Sequence, residues 1–286
     1  MAIVLDNITY TYGMGTPFEK TALHGISLTI ENGEFLGVIG HTGSGKSTFV
    51  QHLNGLLHPT TGTVTVNGVD ISASTEVAKK MRHKVGMVFQ YPEHQLFEET
   101  IAQDIAFGPK NLGLSADEVD ERVRDAMKFV GLDYNTYAER SPFHLSGGQM
   151  RRVAIAGVVA MNPDFLVLDE PSAGLDPFGR EEIFEEIIRL HKEKGITVIL
   201  VSHNMEDISR MASRLVVLDK GRIVLDGEPM DIFNNHRDAL QAVGVDVPPV
   251  SVTMEYLREQ GINVSNRVLS VDDAVQAILE GGSHVK

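Results

Sequence analysis

The 286-residue sequence contains no cysteine, which excludes disulfides and thiolate metal sites and suits a reducing cytosol without requiring one. It also has no excess of positive charge. With 25 Lys and Arg against 39 Asp and Glu, the formal net charge is -14. Binding to nucleic-acid backbones draws its energy from clustered cations, so DNA or RNA is not an expected partner. Long apolar runs are missing too. Val153–Met161 is about half of the roughly 20 residues that cross a bilayer, and it follows an arginine pair, so no membrane span is expected. Met1–Tyr10 mixes apolar and polar residues and carries Asp6; it reads as a strand and not as a signal peptide with a basic start.

What is present is an ordinary globular composition, 42% hydrophobic and 22% charged, in a chain long enough for one large or two modest domains. Strand-like runs fall at Ile3–Tyr12, Ile26–Ile30 and Phe35–Ile39, and Thr63–Val66 ends at Asn67-Gly68, a hairpin signal. Ser115-Ala116-Asp117-Glu118 is a capping box, followed by Val119, Val123, Met127 and Val130 at helical spacing. Phe165–Leu168, a helix over Pro177–Lys194 stopped by Gly195, and strand Ile196–Ser202 follow in the order of a parallel sheet with crossover helices. Leu215–Leu218 and Ile223–Leu225 read as a hairpin that closes the α/β core near residue 230. Pro248-Pro249 marks a boundary, and helical patterns at Met254–Gln260 and Val271–Leu279, the latter capped by Ser270, make a small appendage.

Gly40-His41-Thr42-Gly43-Ser44-Gly45-Lys46-Ser47 matches the phosphate-binding loop pattern and lies between a strand and a helix starting at Lys46, where such a loop must lie. At an average Gly usage of about 7%, a chance match in a chain of this length is roughly one in a hundred. Glycines let backbone N–H groups turn toward phosphates, Lys46 would neutralise the β and γ oxygens, and Ser47 would ligate Mg²⁺. Phe165–Glu170 ends a buried strand in two carboxylates. Asp169 suits a Mg²⁺ ligand and Glu170 a base that polarises the attacking water; taken alone, the pair could equally be a strand running into a polar loop. Leu145-Ser146-Gly147-Gly148-Gln149 opens a helix running roughly to Met161, with Ser146 as its cap and the glycines leaving N-terminal amides open, a second anion site.

That last string resembles the defining signature of ABC ATPases, and the resemblance covers about residues 3–230. It implies a P-loop NTPase of α/β class, an ABC nucleotide-binding domain over residues 1–230 with a mixed and parallel sheet core and a helical signature subdomain over about 91–161. It also implies a C-terminal helical dimerisation region over 231–286. ATP and Mg²⁺ are the implied ligands. Tyr12 resembles the aromatic that stacks on adenine, with Tyr10 as a competing choice. Gln90 resembles the glutamine that links Mg²⁺ to the membrane-subunit contact region, and His203 the switch histidine at the γ-phosphate, whereas a lone His at a strand end is usually structural. Ser172–Asp176 resembles the loop at the dimer interface, and Asp176 before Pro177 reads equally as a helix cap. The implied nucleotide contacts are therefore Tyr12, Gly40 through Thr48, Gln90, Ser146, Gly147, Gly148, Gln149 and Asp176. Ser47, Gln90 and Asp169 are the metal set and Glu170 and His203 the catalytic pair. Ser172 stands where Thr is commoner and Asn204 where Asp is frequent.

Within that superfamily the chain resembles the ATPases of energy-coupling factor transporters and the related cobalt-import ATPases. Gly15–Phe18, Gln90–Gln95, Ala106–Pro109 and Arg151–Gly157 carry this resemblance, and Glu170–Gly174 looks more like the second of the two paralogous ATPases. The implied partners are a sister ATPase in a heterodimer, a transmembrane coupling subunit and a substrate-binding membrane subunit. The implied location is the cytoplasmic side of the cell membrane, as a peripheral protein. Tyr91–Phe107 is expected to form the groove for coupling helices, with a packed helix edge as the competing reading. Two other classes compete: a soluble ABC protein of DNA repair or translation, disfavoured by the single nucleotide domain and acidic balance, and a non-hydrolysing regulatory subunit, disfavoured by Glu170 and His203.

Overall fold

The structure is a computed structural model and describes residues 1–265 and 267–282. β1 (Ala2–Tyr12) and β2 (Lys20–Glu31) pair antiparallel. Ile3 and Leu5 face inward by simple alternation, and a register shift with Asn7 at φ 46° turns Ile8 inward as well. β3 (Phe35–Ile39) leads through a glycine loop into α1 (Lys46–Leu53). β4 (Thr61–Val66) and β5 (Val69–Asp70) form the expected hairpin, with Asn67 and Gly68 both at positive φ. These antiparallel strands make a four-stranded sheet in the order β2-β1-β4-β5.

After α2 (Glu76–Arg82) and β6 (Val85–Val88) comes a 3₁₀ turn, Pro92–Gln95, and then α3 (Ile101–Asn111), α4 (Ala116–Phe129) and α5 (Tyr134–Tyr137). Ser115 and Glu118 close their capping box at the start of α4. A second 3₁₀ turn, Pro142–His144, precedes α6 (Gly147–Val159), which ends slightly before the expected Met161. β7 (Phe165–Asp169), α7 (Pro177–Lys194) and β8 (Thr197–Val201) follow the crossover order read from sequence, with Gly195 left-handed at the end of α7. α8 (Met205–Met211), β9 (Arg214–Asp219) and β10 (Arg222–Gly227) complete the second sheet, in the order β10-β9-β3-β8-β7-β6. Five of its strands run parallel and β10 is an antiparallel edge.

Every residue of β3, β6, β7 and β8 is buried, because helices and the first sheet cover both faces. Leu166 and Leu168 join the core under α3, α4, α6 and α7, while Phe165 and Val167 pack toward α1 and the antiparallel sheet. The chain continues through α9 (Pro229–Asn235), α10 (Arg237–Ala242), α11 (Pro249–Glu259) and α12 (Val271–Gly282). Leu240, Val245 and Leu269 anchor this segment to the large core, and Met254, Val264, Val268 and Ala274 form a small core of its own. Among the described residues no helix is long and apolar enough to cross a membrane.

The topology gathers the carboxyl ends of β3, β6, β7 and β8 on one edge, with the loops to α1, Gln90, Glu170 and His203 leaving side by side. In an open parallel sheet that edge is where ligands bind.

Candidate functional site

The loop after β3 is shaped by what surrounds it. Gly40 sits at φ 150°, and a Cβ there would lie 2.3 Å from Leu218 O and 2.6 Å from Ser44 Oγ, so only glycine fits. Gly45, at φ 107°, occupies the cap position of α1 and no side chain caps the helix. The first amides of Lys46, Ser47 and Thr48 are therefore open to an anion. Lys46 is buried, and its ammonium donates to Gly40 O at 2.6 Å and His41 O at 3.0 Å. Burial lowers its pKa, while Glu170 and Asp169 favour the charged form. His41 braces the outer side of the loop, with Nε2 3.0 Å from Asp219 Oδ1 and Nδ1 2.7 Å from Thr42 O. Ser44 Oγ is buried without a hydrogen-bond partner, and the Ser44 carbonyl accepts from Gly221 N at 2.8 Å.

Opposite the loop, β7 delivers its two carboxylates to different environments. Asp169 is buried, which raises its pKa, and a hydrogen bond with Ser47 together with the nearby Lys46 and His203 opposes that rise. Glu170 is the first residue past the strand and takes φ 51°, a left-handed conformation that non-glycine residues adopt rarely. Its N–H donates to Val201 O at 3.0 Å. Glu170 Oε1 lies 2.5 Å from His203 Nε2, and Oε2 accepts from Gln90 Nε2 at 3.4 Å. Three loops thus meet at one carboxylate.

These groups line a cleft of about 590 Å³ together with Tyr12, Thr42, Gly43 and Thr48. The Tyr12 hydroxyl is 3.1 Å from Thr48 Oγ1 and its ring is partly exposed. Tyr10 instead packs edge-on against His52 with centroids 4.9 Å apart and supports the Tyr12 ring at 4.7 Å. The two tyrosines are therefore distinguished by position: Tyr12 faces the cleft and Tyr10 the core. Gly40, His41, Ser44 and Asp169 support the cleft from behind.

The remaining sequence-predicted residues lie outside this cleft. Ser146 Oγ accepts from Gln149 N at 3.3 Å and Gln149 Oε1 accepts from Ser146 N at 3.1 Å, a reciprocal cap at the start of α6. A Cβ at Gly147 or Gly148 would meet nothing within 4 Å. Asp176 caps α7 by accepting from Gly179 N at 2.7 Å, with Pro177 as the first helical residue. Sequence reasoning missed Lys20, Ala22, His24 and Lys220 in the cleft wall. Gly221 would place a Cβ 2.2 Å from Ala22 O, so the β9–β10 turn is pressed against β2. No spacing between such distant segments signals that contact.

Among the described residues no group of three His, Cys, Asp or Glu side chains is arranged to hold a metal. The oxygens of Ser47, Asp169 and Gln90 are hard donors of the type that Mg²⁺ takes, a cation that completes its shell with water and substrate phosphates. The site fits that ion in combination with a phosphate ligand.

The profile of the ABC transporter family matches residues 23–173. The chain is 54% identical over 280 residues to the energy-coupling factor transporter ATP-binding protein EcfA2 of Clostridium tetani, covering 98% of this chain and 97% of that relative. It is 49% identical to EcfA2 of Clostridioides difficile, again over 98% of this chain and 97% of the relative. The structure resembles cbiO1 from Clostridium perfringens, part of the ABC transporter complex cbiONQ, with a TM-score of 0.73 and 36% identity over 88% of this chain and 98% of that one. It also resembles the dimeric ATP-binding cassette MJ0796 bound to ADP and Pi, with a TM-score of 0.70 and 31% identity over 79% of this chain and 98% of the cassette. With the phosphate loop, paired carboxylates and capped Ser146 helix all present in one fold, the chain belongs to the ABC transporter family and, within it, to the ATP-binding proteins of energy-coupling factor transporters.

Proposed function

We propose that this chain is the ATP-hydrolysing subunit of an energy-coupling factor importer of vitamins or transition-metal ions, and that it works with its nucleotide enclosed between two chains. The observation that carries the reading is the Glu170 carboxylate, held between Gln90 and His203 at the mouth of the Lys46 loop. Tyr12 stacks on the base. The Gly40–Thr48 loop wraps the phosphates, with Lys46 turning from the loop carbonyls to the β and γ oxygens. Ser47, Asp169 and Gln90 hold Mg²⁺, which when bound supplies charge neutralisation on the phosphates. Glu170 orients and polarises the water that attacks the γ-phosphorus, the bond from that phosphorus to the bridging oxygen breaks, and ADP and phosphate leave. His203 contacts the γ-phosphate and fixes the Glu170 carboxylate.

Ser146, Gly147, Gly148, Gln149 and Asp176 serve the nucleotide of a partner chain. Their separation from the Lys46 cleft and the open space above both glycines support this division. The partner is a sister ABC ATPase. Support for the pairing comes from the dimeric MJ0796 cassette and from α12, where Val271, Val275, Ile278 and Leu279 form an exposed apolar stripe. The segment from 231 to 286 acts as the dimerisation region beside an ATPase domain over 1–230 whose helical part spans about 91–161. A transmembrane coupling subunit, carrying a substrate-binding membrane subunit, docks at the Tyr91–Phe107 segment. Tyr91, Phe97 and Phe107 are exposed there, with Phe97 and Phe107 in edge contact at 4.9 Å. The chain is thereby a peripheral protein on the cytoplasmic side of the cell membrane.

Co-purification of the full chain with every protein it binds, followed by assay of ATP hydrolysis, tests the reading. Capture of a second ATPase and of membrane subunits together with turnover is the expected result; a chain that neither retains nor consumes ATP in that complex overturns it. Substitution of Tyr91, His94 and Phe97 is expected to reduce capture of the membrane subunit, and unchanged capture removes the docking assignment.

A further inference from the structure

Arg151 lies on α6, two residues past the Ser146–Gln149 string, and is the largest fully buried side chain among the described residues. A guanidinium in that position must satisfy its donors within the protein, and it does so on two different loops. Nε and Nη2 form a two-pronged pair with Glu93 at 3.0 and 2.9 Å. Nη1 donates to Pro171 O at 3.0 Å and Ala173 O at 2.8 Å. Glu93 belongs to the 3₁₀ turn that follows Gln90, and Pro171 is the residue after Glu170. One side chain thus holds the turn bearing the Gln90 arm, the loop bearing Glu170, and the helix whose tip is the Ser146 string.

The two held loops also touch each other directly. A Cβ at Gly174 would lie 3.4 Å from the Tyr91 ring, and Tyr91 itself takes φ 56°. Glu170 is likewise left-handed, and its carbonyl accepts from Ala173 N at 3.1 Å. Two non-glycine residues in sparsely populated backbone conformations, one on each side of the Arg151 contacts, persist only where their surroundings determine them. Lysine could keep one charge contact but has no planar fork with which to span a carboxylate and two carbonyls.

We propose that Arg151 is a positioning residue that locks the Gln90–Glu93 turn and the Glu170–Ala173 loop to the helix behind the Ser146 string, so that the Glu170 carboxylate is in place only when that helix is seated. It rests on the ATPase reading above. It adds to that reading a mechanical link between the half-site on Lys46 and the half-site on Ser146 of the same chain, so that movement of α6 is felt at Glu170 without contact with the nucleotide.

The test compares Arg151→Met, Arg151→Lys and the double variant Arg151→Met with Glu93→Gln in the co-purified complex, reading kcat, ATP affinity and cooperative unfolding. Arg151→Met leaves Glu93 unpaired and is expected to lower stability as well as turnover. The double variant removes the unpaired charge, so its unfolding returns toward wild type. Its kcat is expected to remain down by about 10–100-fold, with ATP affinity within about threefold, because the loop carbonyls still lack their donor. Arg151→Lys is expected to fall between the two. Recovery of kcat along with stability in the double variant overturns the proposal, since Arg151 would then be only a buried ion-pair partner. Parallel loss of kcat and ATP affinity in the double variant overturns it as well. Absence of turnover in the wild-type complex brings down the ATPase reading itself, whereas wild-type turnover with an unaffected double variant removes only the role of Arg151.

Discussion

The N-termini of α1 and α6 both leave amides open to an anion, and they are finished to different degrees. The tip of α1 is walled: Gly40 and Gly45 are pressed by Leu218, Ser44, Ala22 and Leu23, Lys46 is buried across the loop, and Glu170 with His203 closes the far side. The tip of α6 is capped by Ser146 and Gln149 but has nothing above Gly147 or Gly148. The first is enclosed by residues of its own chain, while the second faces open space, which is why the proposed function gives it to the nucleotide of a partner. Under the proposed function the same local device serves as a pocket in one place and as a lid in the other.

Removing chemistry while keeping the walls sharpens the contrast most. Glu170→Gln is expected to lower turnover by something like 10²–10⁴-fold with ATP binding largely intact, measured by phosphate release beside equilibrium nucleotide binding. Gly147→Val probes the open tip. Apart from its own helix backbone, nothing lies within 4 Å of a Cβ added there, so ATP affinity of the isolated protein is expected to be unchanged. Turnover in the complex should fall by at least about tenfold through misplacement across the interface; equal turnover would break the division between pocket and lid. Tyr12→Ala is expected to weaken ATP binding by about tenfold, the scale of one base–aromatic stack. Tyr10→Ala should act mainly on stability, and thermal unfolding beside nucleotide titration separates the two.

The smallest effect concerns Asp169. Its pKa is raised by burial, so the folded chain holds that proton more tightly than the unfolded chain. Its ionisation therefore costs stability as pH rises from the unfolded pKa through the folded one. Asp169→Asn is expected to melt at or above the wild-type temperature at neutral pH without nucleotide, with the gain shrinking as pH falls through that window. Melting curves across acid to neutral pH check the sign.

Much of this was legible in the sequence because it is local. The strand, loop and helix around Lys46, the capping box at Ser115 and the span Pro177–Lys194 depend on residues a few positions apart, and the structure reproduces them. The bounds of α3 were not legible, because a Gly108-Pro109 pair disfavours a helix interior although this helix runs through it. α8, α9 and α10 are too short to establish a period. Within the site, residue types and order pointed to Lys46, Asp169 and Glu170, whereas His203 was named only through the family resemblance. The left-handed turn at Glu170, the wall from β2 and the β9–β10 turn, and the four hydrogen bonds of Arg151 are long-range contacts that no spacing encodes.

The central claim, that the Lys46 loop is where this chain holds the nucleotide it consumes, is tested most directly by phosphate release from ATP in the co-purified complex, wild type beside Lys46→Ala with the sister ATPase disabled in both. Loss of a buried charged donor to phosphate is expected to weaken binding by about 1.5–3 kcal/mol and to abolish release at this site. Undiminished release from the Lys46→Ala complex would contradict the account.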